Sequence, residues 1–288
     1  MQKGLFGLLA FCLACVQLPA QADMPLNTRV VMSGHSLTDP IPDMLRPMVQ
    51  AVAGGRGAVI DRSTIPGSPM DWRWNNAAQA QTVDARADIA GYDLLVLTER
   101  VPLLNTMGYH NSADEALRWA HHAWENGADG QGAATVLYAS WVTRDTGPGS
   151  GDDTSEKHIP FRARLQVEQE RWLEIRDHVN QHRPDGMPEM VMIPGPRLMT
   201  ALYDAIDAGD APGLNSIDAL FSDAIHVNDL GAYVMALAHF AVIYGRSPLD
   251  VPTGLGRTPT PEPELARWLQ QLVADVVAEA PEAQASGH

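Results

Sequence analysis

The feature that most constrains the fold of this chain is a regular alternation of short apolar segments with longer amphipathic ones. The short segments read as β-strands that end at turn-forming residues: 28–32, 58–65, 92–97, 135–140 and 189–193. Apolar side chains at helical spacing predict helices over 42–53, 113–125, 161–180, 229–244 and 261–278. Because strands that alternate with helices are joined by crossover connections, the strands should be parallel, with helices on both faces of the sheet.

The predicted fold is therefore α/β, a three-layer α/β/α domain built on a flavodoxin-like parallel five-stranded sheet. A length of 288 residues suits one large domain, and we expect a single domain over residues 23–288. It should close with the helix 261–278, followed by a frayed tail. Ligands of such sheets bind beyond the carboxyl ends of the strands, so the residues that follow each strand are the candidates for function.

The first 22 residues have the composition of a secretory signal peptide. Lys3 supplies the positive charge, residues 5–18 are an apolar stretch of 14, and residues 20–22 form an Ala-x-Ala cleavage site. A membrane-spanning helix needs about 20 residues, so this stretch is too short for one. We expect a secreted or periplasmic protein whose mature chain begins at Asp23. The alternative is an N-terminal helix that is buried or anchors the chain in a membrane.

Both cysteines of the chain, Cys12 and Cys15, lie inside this predicted signal peptide. The mature chain should therefore have no disulfide, no cysteine-ligated zinc and no cysteine nucleophile. Lipid attachment at Cys15 is an alternative that the residues before it fit poorly.

The charge and the missing motifs exclude several classes of partner. The 35 acidic residues outnumber the 20 basic ones and give a formal net charge of −15, which should repel the phosphates of nucleic acids. No phosphate-binding glycine loop, His-Glu-x-x-His pair or calcium loop is present in the sequence, so we predict no cofactor and no metal. No later apolar run reaches membrane length, so no membrane span is expected.

Ser36 follows the first predicted strand on a turn that Gly34 makes possible, shortly before a helix. There its hydroxyl would lie at the edge of the sheet, and its backbone N–H, near a helix N-terminus, could hold a negative charge. This arrangement suits a nucleophile that supplies one of its own oxyanion donors. The alternative is a serine that only caps the helix that follows.

Asp223 and His226 lie three residues apart, just before the predicted helix 229–244. On a turn, this spacing lets a carboxylate accept from the imidazole Nδ1–H while Nε2 faces outward. The carboxylate then fixes the tautomer and stabilises the imidazolium that forms during proton transfer. The alternative is a loop histidine beside a capping aspartate, because an Asp-x-x-His match also occurs by chance.

Together these two segments resemble the SGNH (GDSL-type) hydrolases. In that family the nucleophile lies in a Gly-Asp-Ser-Leu block after the first strand, and the last block is Asp-x-x-His. Residues 34–37 read Gly-His-Ser-Leu here, with His35 in place of the aspartate, and the resemblance extends over residues 28–245. It implies an esterase in which Ser36 attacks and His226 moves the proton. The remaining triad member would be Asp223.

The same resemblance suggests where the oxyanion hole lies. The family's second block supplies a glycine N–H, and Gly67, directly after the second strand, matches it in position. The third block normally supplies an asparagine side chain, but Glu99 stands there, and a carboxylate cannot donate while it is ionised. Glu99 could turn away and orient another group, Arg100 or Asn105 could donate instead, or the hole could rely on Ser36 and Gly67. Otherwise Glu99 and Arg100 form a structural ion pair.

The expected substrate is a small-molecule or carbohydrate ester. Trp72 and Trp74 follow Gly67 closely and could stack on a sugar, unless both rings belong to the core. Glu99 and Arg100 are the other candidates for binding the substrate. Trp141 and Arg144 follow the fourth strand and could line the same edge. A carbohydrate O-acetylesterase is the preferred interpretation. The alternatives are a short-chain lipase or thioesterase, and an accessory protein that binds or modifies polysaccharide without hydrolysis. The sequence does not indicate an oligomeric state.

Overall fold

The computed structural model describes residues 24–146 and 155–285. The predicted signal peptide and its two cysteines lie outside these residues. The strands are β1 (Arg29–Gly34), β2 (Val59–Thr64), β3 (Gln81–Thr82), β4 (Leu94–Leu97), β5 (Ala134–Ala139) and β6 (Val191–Pro194). The helices are α1 (Ile41–Ala51), α2 (Met70–Asn75), α3 (Leu103–Thr106), α4 (Ser112–Gly130), α5 (Phe161–His182), α6 (Gly195–Asp207), α7 (Asp229–Tyr244) and α8 (Pro263–Ala278).

The strands form one sheet in the order β3-β2-β1-β4-β5-β6. All pairs are parallel except the edge pair of β2 with β3. Without β3, the order is the flavodoxin-like 2-1-3-4-5, which confirms the predicted three-layer α/β/α fold. The predicted number of five strands is wrong, because the sheet of the described residues also contains β3. This strand has only two residues, both polar, and therefore no periodicity from which to predict it.

The predicted helices all form, with ends that differ from the prediction by at most a few residues, except that α4 continues to Gly130 through a kink at residues 127–129. Sequence periodicity missed α2, α3 and α6. The first two have six and four residues, too short for a helical period to be recognised. The third begins at Gly195-Pro196, and this pair reads as a turn although proline is well tolerated in the first turn of a helix.

The core consists of two apolar clusters, one on each face of the sheet. Alternate residues of β1 divide between them, so that Val30 and Met32 face one cluster and Val31 the other. Helices α1, α7 and α8 cover the first face, and α4 with the middle of α5 covers the second. Helix α7 is buried on nearly every side, which explains why its sequence is apolar throughout.

This topology brings the carboxyl ends of β1, β2 and β4 together at one edge of the sheet. At the end of β1, Gly34 passes so close to the Thr38 side chain that an added Cβ would lie 2.1 Å from its Oγ1. Only glycine fits there, and the chain can therefore turn sharply at Ser36.

In the ranges 24–146 and 155–285, no helix is long and apolar enough to cross a membrane. In the same ranges, histidine, cysteine, aspartate and glutamate side chains do not gather in a group of three or more that could hold a metal ion.

Candidate active site

Ser36 lies half-buried on the turn between β1 and α1. It does not cap α1, because the N-cap position is Pro40 and no side chain caps that helix. The turn is closed by the Thr38 N–H, which donates to the His35 carbonyl at 2.8 Å. The capping interpretation of this serine is therefore excluded, and its hydroxyl is available for other contacts.

The buried His35 side chain supports this turn. It is 3% exposed, its Nε2 lies 2.9 Å from the Glu99 carbonyl oxygen, and its Nδ1 accepts from the Leu37 N–H at 3.4 Å. Burial, with the nearby charge of Arg73, lowers the pKa of His35 to about 4. The ring is therefore neutral near pH 7, with its proton on Nε2, and it links the nucleophile turn to the segment after β4.

Ser36, His226 and Asp223 form a continuous chain of hydrogen bonds across 190 positions of sequence. The Ser36 Oγ lies 2.9 Å from His226 Nε2, and His226 Nδ1 lies 2.7 Å from Asp223 Oδ2. Nε2 of the imidazole thus faces the Ser36 hydroxyl, and Nδ1 faces the Asp223 carboxylate. This is the geometry in which a histidine can take the hydroxyl proton.

The Asp223 carboxylate is held by the backbone of its own turn. Its Oδ1 accepts from the N–H groups of His226 at 2.7 Å and Ile225 at 2.8 Å. These two bonds, followed by the bond to the His226 ring, lower the pKa of Asp223 to about 2. The carboxylate therefore remains ionised well below neutral pH. Asn228 closes the segment by capping α7, with its Oδ1 accepting from the N–H groups of Leu230 and Gly231.

Gly67 is exposed on the turn that follows β2. The turn spans Ile65 to Ser68 and is closed at the Ile65 carbonyl by the Ser68 N–H at 3.2 Å and the Ser68 Oγ at 2.6 Å. Gly67 has φ +66°, so the turn needs glycine there. Within the described residues, neither the Gly67 nor the Ser36 N–H donates to a protein group. Both remain available to a ligand.

Glu99 is turned away from the surface and is fully buried, so the expectation that it binds the substrate is wrong. Its Oε1 accepts from the backbone N–H groups of Met70 at 3.0 Å and Arg100 at 2.6 Å. Burial raises the pKa of Glu99, although the charge of Arg73 opposes this. No ion pair joins the Glu99 and Arg100 side chains in the described part of the chain. The structure therefore agrees with the alternative in which Glu99 turns away from the oxyanion hole and orients other groups, here the backbone at Met70 and Arg100.

Arg73 is the functional residue that sequence reasoning missed. It is 2% exposed, and its guanidinium donates to Ser33 Oγ at 3.2 Å, to the Ser68 carbonyl at 2.6 Å and to the Thr98 carbonyl. It therefore ties together the ends of β1, β2 and β4. Burial lowers the pKa of Arg73 to about 10, with Glu99 acting in the opposite direction. A buried carboxylate at position 99 needs a cation, but the sequence alone does not show that Glu99 is buried.

The two tryptophans beside Arg73 differ in their surroundings. Trp72 is 51% exposed at the surface of α2. Trp74 packs edge-on against Trp119 with ring centroids 5.1 Å apart, and the Arg118 guanidinium lies 4.1 Å from its ring centre. The structure thus packs Trp74 against α4 and leaves Trp72 free to meet a ligand.

The remaining predicted donors lie on the segment after β4. Arg100 is half-buried and directly follows Glu99, whose carbonyl oxygen lies 2.9 Å from His35 Nε2. Asn105 is exposed on α3. Neither side chain forms a hydrogen bond within the described residues.

An open groove of about 420 Å³ adjoins the Asp223 end of the site. Its walls come from the segments after β4 and β5 and from the turn before α7. They are formed by Val101, Pro102, Thr143, Asp145, Asp223, Ala224 and Ile225. Most of this surface is aliphatic, so the groove suits a small, weakly polar group.

Comparison with known proteins gives similarity of fold rather than of sequence. No family model and no curated protein matches the chain. A DUF4886 family protein from Bacteroides uniformis is similar over 87% of this chain and 95% of its own, with 14% identity and a TM-score of 0.60. A candidate SGNH hydrolase from Slackia heliotrinireducens covers 73% of this chain and 96% of its own, with 21% identity and a TM-score of 0.47. The acetyl xylan esterase AlAXEase covers 75% and 99%, with 13% identity and a TM-score of 0.48.

Proposed function

We propose that this protein is a serine esterase of the SGNH type that hydrolyses short-chain carboxylic esters. The observation that supports this most is the unbroken chain of hydrogen bonds from Asp223 through His226 to the Ser36 hydroxyl, with distances of 2.7 and 2.9 Å. Such a chain makes an ordinary hydroxyl reactive, because the histidine takes its proton as the hydroxyl attacks.

The reaction would proceed in two steps through an acyl-enzyme. The Ser36 Oγ attacks the ester carbonyl while His226 Nε2 takes its proton, and the tetrahedral oxyanion rests on the N–H groups of Ser36 and Gly67. His226 then gives the proton to the leaving alcohol as the C–O bond breaks. Water attacks the acyl group by the same route, and the acid is released as Ser36 regains its proton. Asp223 stabilises the imidazolium in both steps.

For the substrate, we propose an O-acetyl group on a carbohydrate. The exposed ring of Trp72 on α2 can stack on a sugar, and the groove beside Asp223 is open and modest in volume. The short-chain lipase or thioesterase remains the alternative within the same chemistry. Export through residues 1–22 is part of the proposal, because acetylated polysaccharides lie outside the cell.

Turnover of p-nitrophenyl acetate, butyrate and octanoate by the purified protein and by Ser36→Ala tests the proposal. We expect acetate to be preferred, and Ser36→Ala to lose a factor of about 10⁴ or more in kcat. A preference for octanoate would overturn the carbohydrate substrate but not the esterase. Wild-type rates in Ser36→Ala would overturn the mechanism. A folded wild-type protein that binds acetylated polysaccharide without turnover would instead support the accessory protein.

A further inference from the structure

The segment that carries Asp223 and His226 has little support of its own. Their side chains are 55% and 39% exposed, and the turn between Phe221 and Val227 is closed by an isolated bridge between these two residues rather than by a regular strand or helix. Within the turn, the Ser222 N–H and Oγ donate to the His226 carbonyl at 2.8 and 3.1 Å. A misplacement of about 1 Å can cost about 100-fold in rate, so such a turn needs external support.

That support comes from the segment directly after β5. Three successive carbonyls of the turn accept hydrogen bonds from it, each at 2.8 Å. The Asp223 carbonyl accepts from Arg144 Nη2, the Ala224 carbonyl from the Arg144 N–H, and the Ile225 carbonyl from Trp141 Nε1. Arg144 therefore makes two of the three bonds, one of them to the residue that bears the catalytic carboxylate.

The Arg144 guanidinium is itself fixed on two sides. Its Nη1 pairs with the Asp218 carboxylate, and its carbon lies 4.7 Å from the centre of the Phe221 ring. Both partners belong to the segment that precedes the turn. The planar guanidinium therefore contacts the turn and the preceding segment at the same time. A lysine ammonium could not reproduce the fork and the ring contact at once.

We infer that Arg144 is a positioning residue, which holds the Asp223–His226 turn at the distance where His226 meets Ser36. This inference rests on the proposed esterase function for its catalytic consequence. The position of the turn relative to β5 is a structural consequence and can be measured without any substrate.

The test compares Arg144→Met and Arg144→Lys with the wild type and two controls. Asp218→Asn removes the ion pair but leaves the hydrogen bond from Arg144 to the Asp223 carbonyl. Arg162→Met removes a surface ion pair with Asp204, which involves no residue of the turn. We expect Arg144→Met to lower kcat about 10- to 100-fold with KM within about twofold and Tm nearly unchanged. Arg144→Lys should recover part of the loss, Asp218→Asn should lose less, and Arg162→Met should match the wild type.

Amide hydrogen exchange provides the measurement that does not depend on activity. In Arg144→Met, the N–H groups of Ile225 and His226, which donate to the Asp223 carboxylate, should exchange faster than in the wild type and in Arg162→Met. Unchanged exchange, or wild-type kcat in Arg144→Met, would overturn the inference. If the wild type shows no turnover but exchange responds as expected, the esterase proposal fails and the support by Arg144 stands.

Discussion

The two halves of the candidate site are built in opposite ways. On the nucleophile side, the groups around the Ser36 turn are fully buried and include the Arg73 guanidinium, the Glu99 carboxyl group and the neutral ring of His35. On the histidine side, Asp223 and His226 are exposed and are held through backbone carbonyls. The hydrogen bond between Ser36 and His226 therefore joins a half that is tied into the core to a half that is held by a neighbouring segment.

This difference has a physical cause. A buried charge must keep its partners, because its desolvation is otherwise uncompensated, so the Arg73 network should contribute mainly to folding. Removing an exposed side chain from a turn changes the free energy of unfolding little, so His226 should contribute mainly to catalysis. Substitutions in the two halves should therefore separate stability from activity.

The largest expected effect is on activity, from His226→Ala. Loss of the proton acceptor should lower kcat/KM at least about 10⁴-fold, which corresponds to roughly 5.5 kcal/mol in the activation barrier. Because the side chain is 39% exposed, the free energy of unfolding should change by no more than about 0.5 kcal/mol. Ester turnover and urea unfolding on the same sample measure both, with His121→Ala on the exposed face of α4 as a matched control. A large loss of stability would contradict the contrast between the two halves.

The next effect is on stability, from Arg73→Met. Removing the guanidinium takes away the charge that favours the ionised form of buried Glu99, and it removes the donor that the Ser33 hydroxyl and the Ser68 and Thr98 carbonyls share. We expect a loss of about 3–5 kcal/mol in the free energy of unfolding, measured by urea denaturation.

The double variant Arg73→Met with Glu99→Gln is the control for this prediction. It removes both charges, so part of the lost stability should return. Wild-type stability in the single variant would show that the buried pair contributes nothing to the fold.

A smaller effect is the pH dependence of stability that His35 confers. Its pKa is about 6.5 when unfolded and is lowered to about 4 when folded, so the unfolded chain binds the proton first. Stability is therefore lost as the pH falls from 6.5 to 4, by about 3 kcal/mol at most. His35→Asn should show a shallower decline of Tm over this range. His239, whose pKa burial also lowers to about 4, remains and keeps some decline in both proteins. An unchanged slope in His35→Asn would contradict the assignment.

Much of the fold and part of the site could be predicted from the sequence. The alternation of strands and helices predicts the sheet and places Ser36 at the edge where its parallel strands end. That Asp223 and His226 meet Ser36 is implied by the resemblance of the two segments together to the SGNH hydrolases, because neither segment alone indicates the pairing.

What could not be predicted depends on contacts between distant segments. Nothing in a six-residue helix shows that Arg73 reaches back to three strand ends, or that Glu99 is buried and bound by backbone N–H groups. Likewise, Arg144 was expected to line the edge, but its guanidinium binds the carbonyl of Asp223. Such roles are decided by side-chain reach in the folded chain.

Site-mapped labelling with a fluorophosphonate tests the central claim most directly. The reagent reacts with a hydroxyl only where a base activates it, so the wild-type protein should gain one adduct, located on Ser36 by peptide mass mapping. Ser36→Ala should gain none, and His226→Ala should react at least about 100-fold more slowly. A folded wild-type protein that gains no adduct, or an adduct on any other residue, would contradict an activated serine at this edge of the sheet.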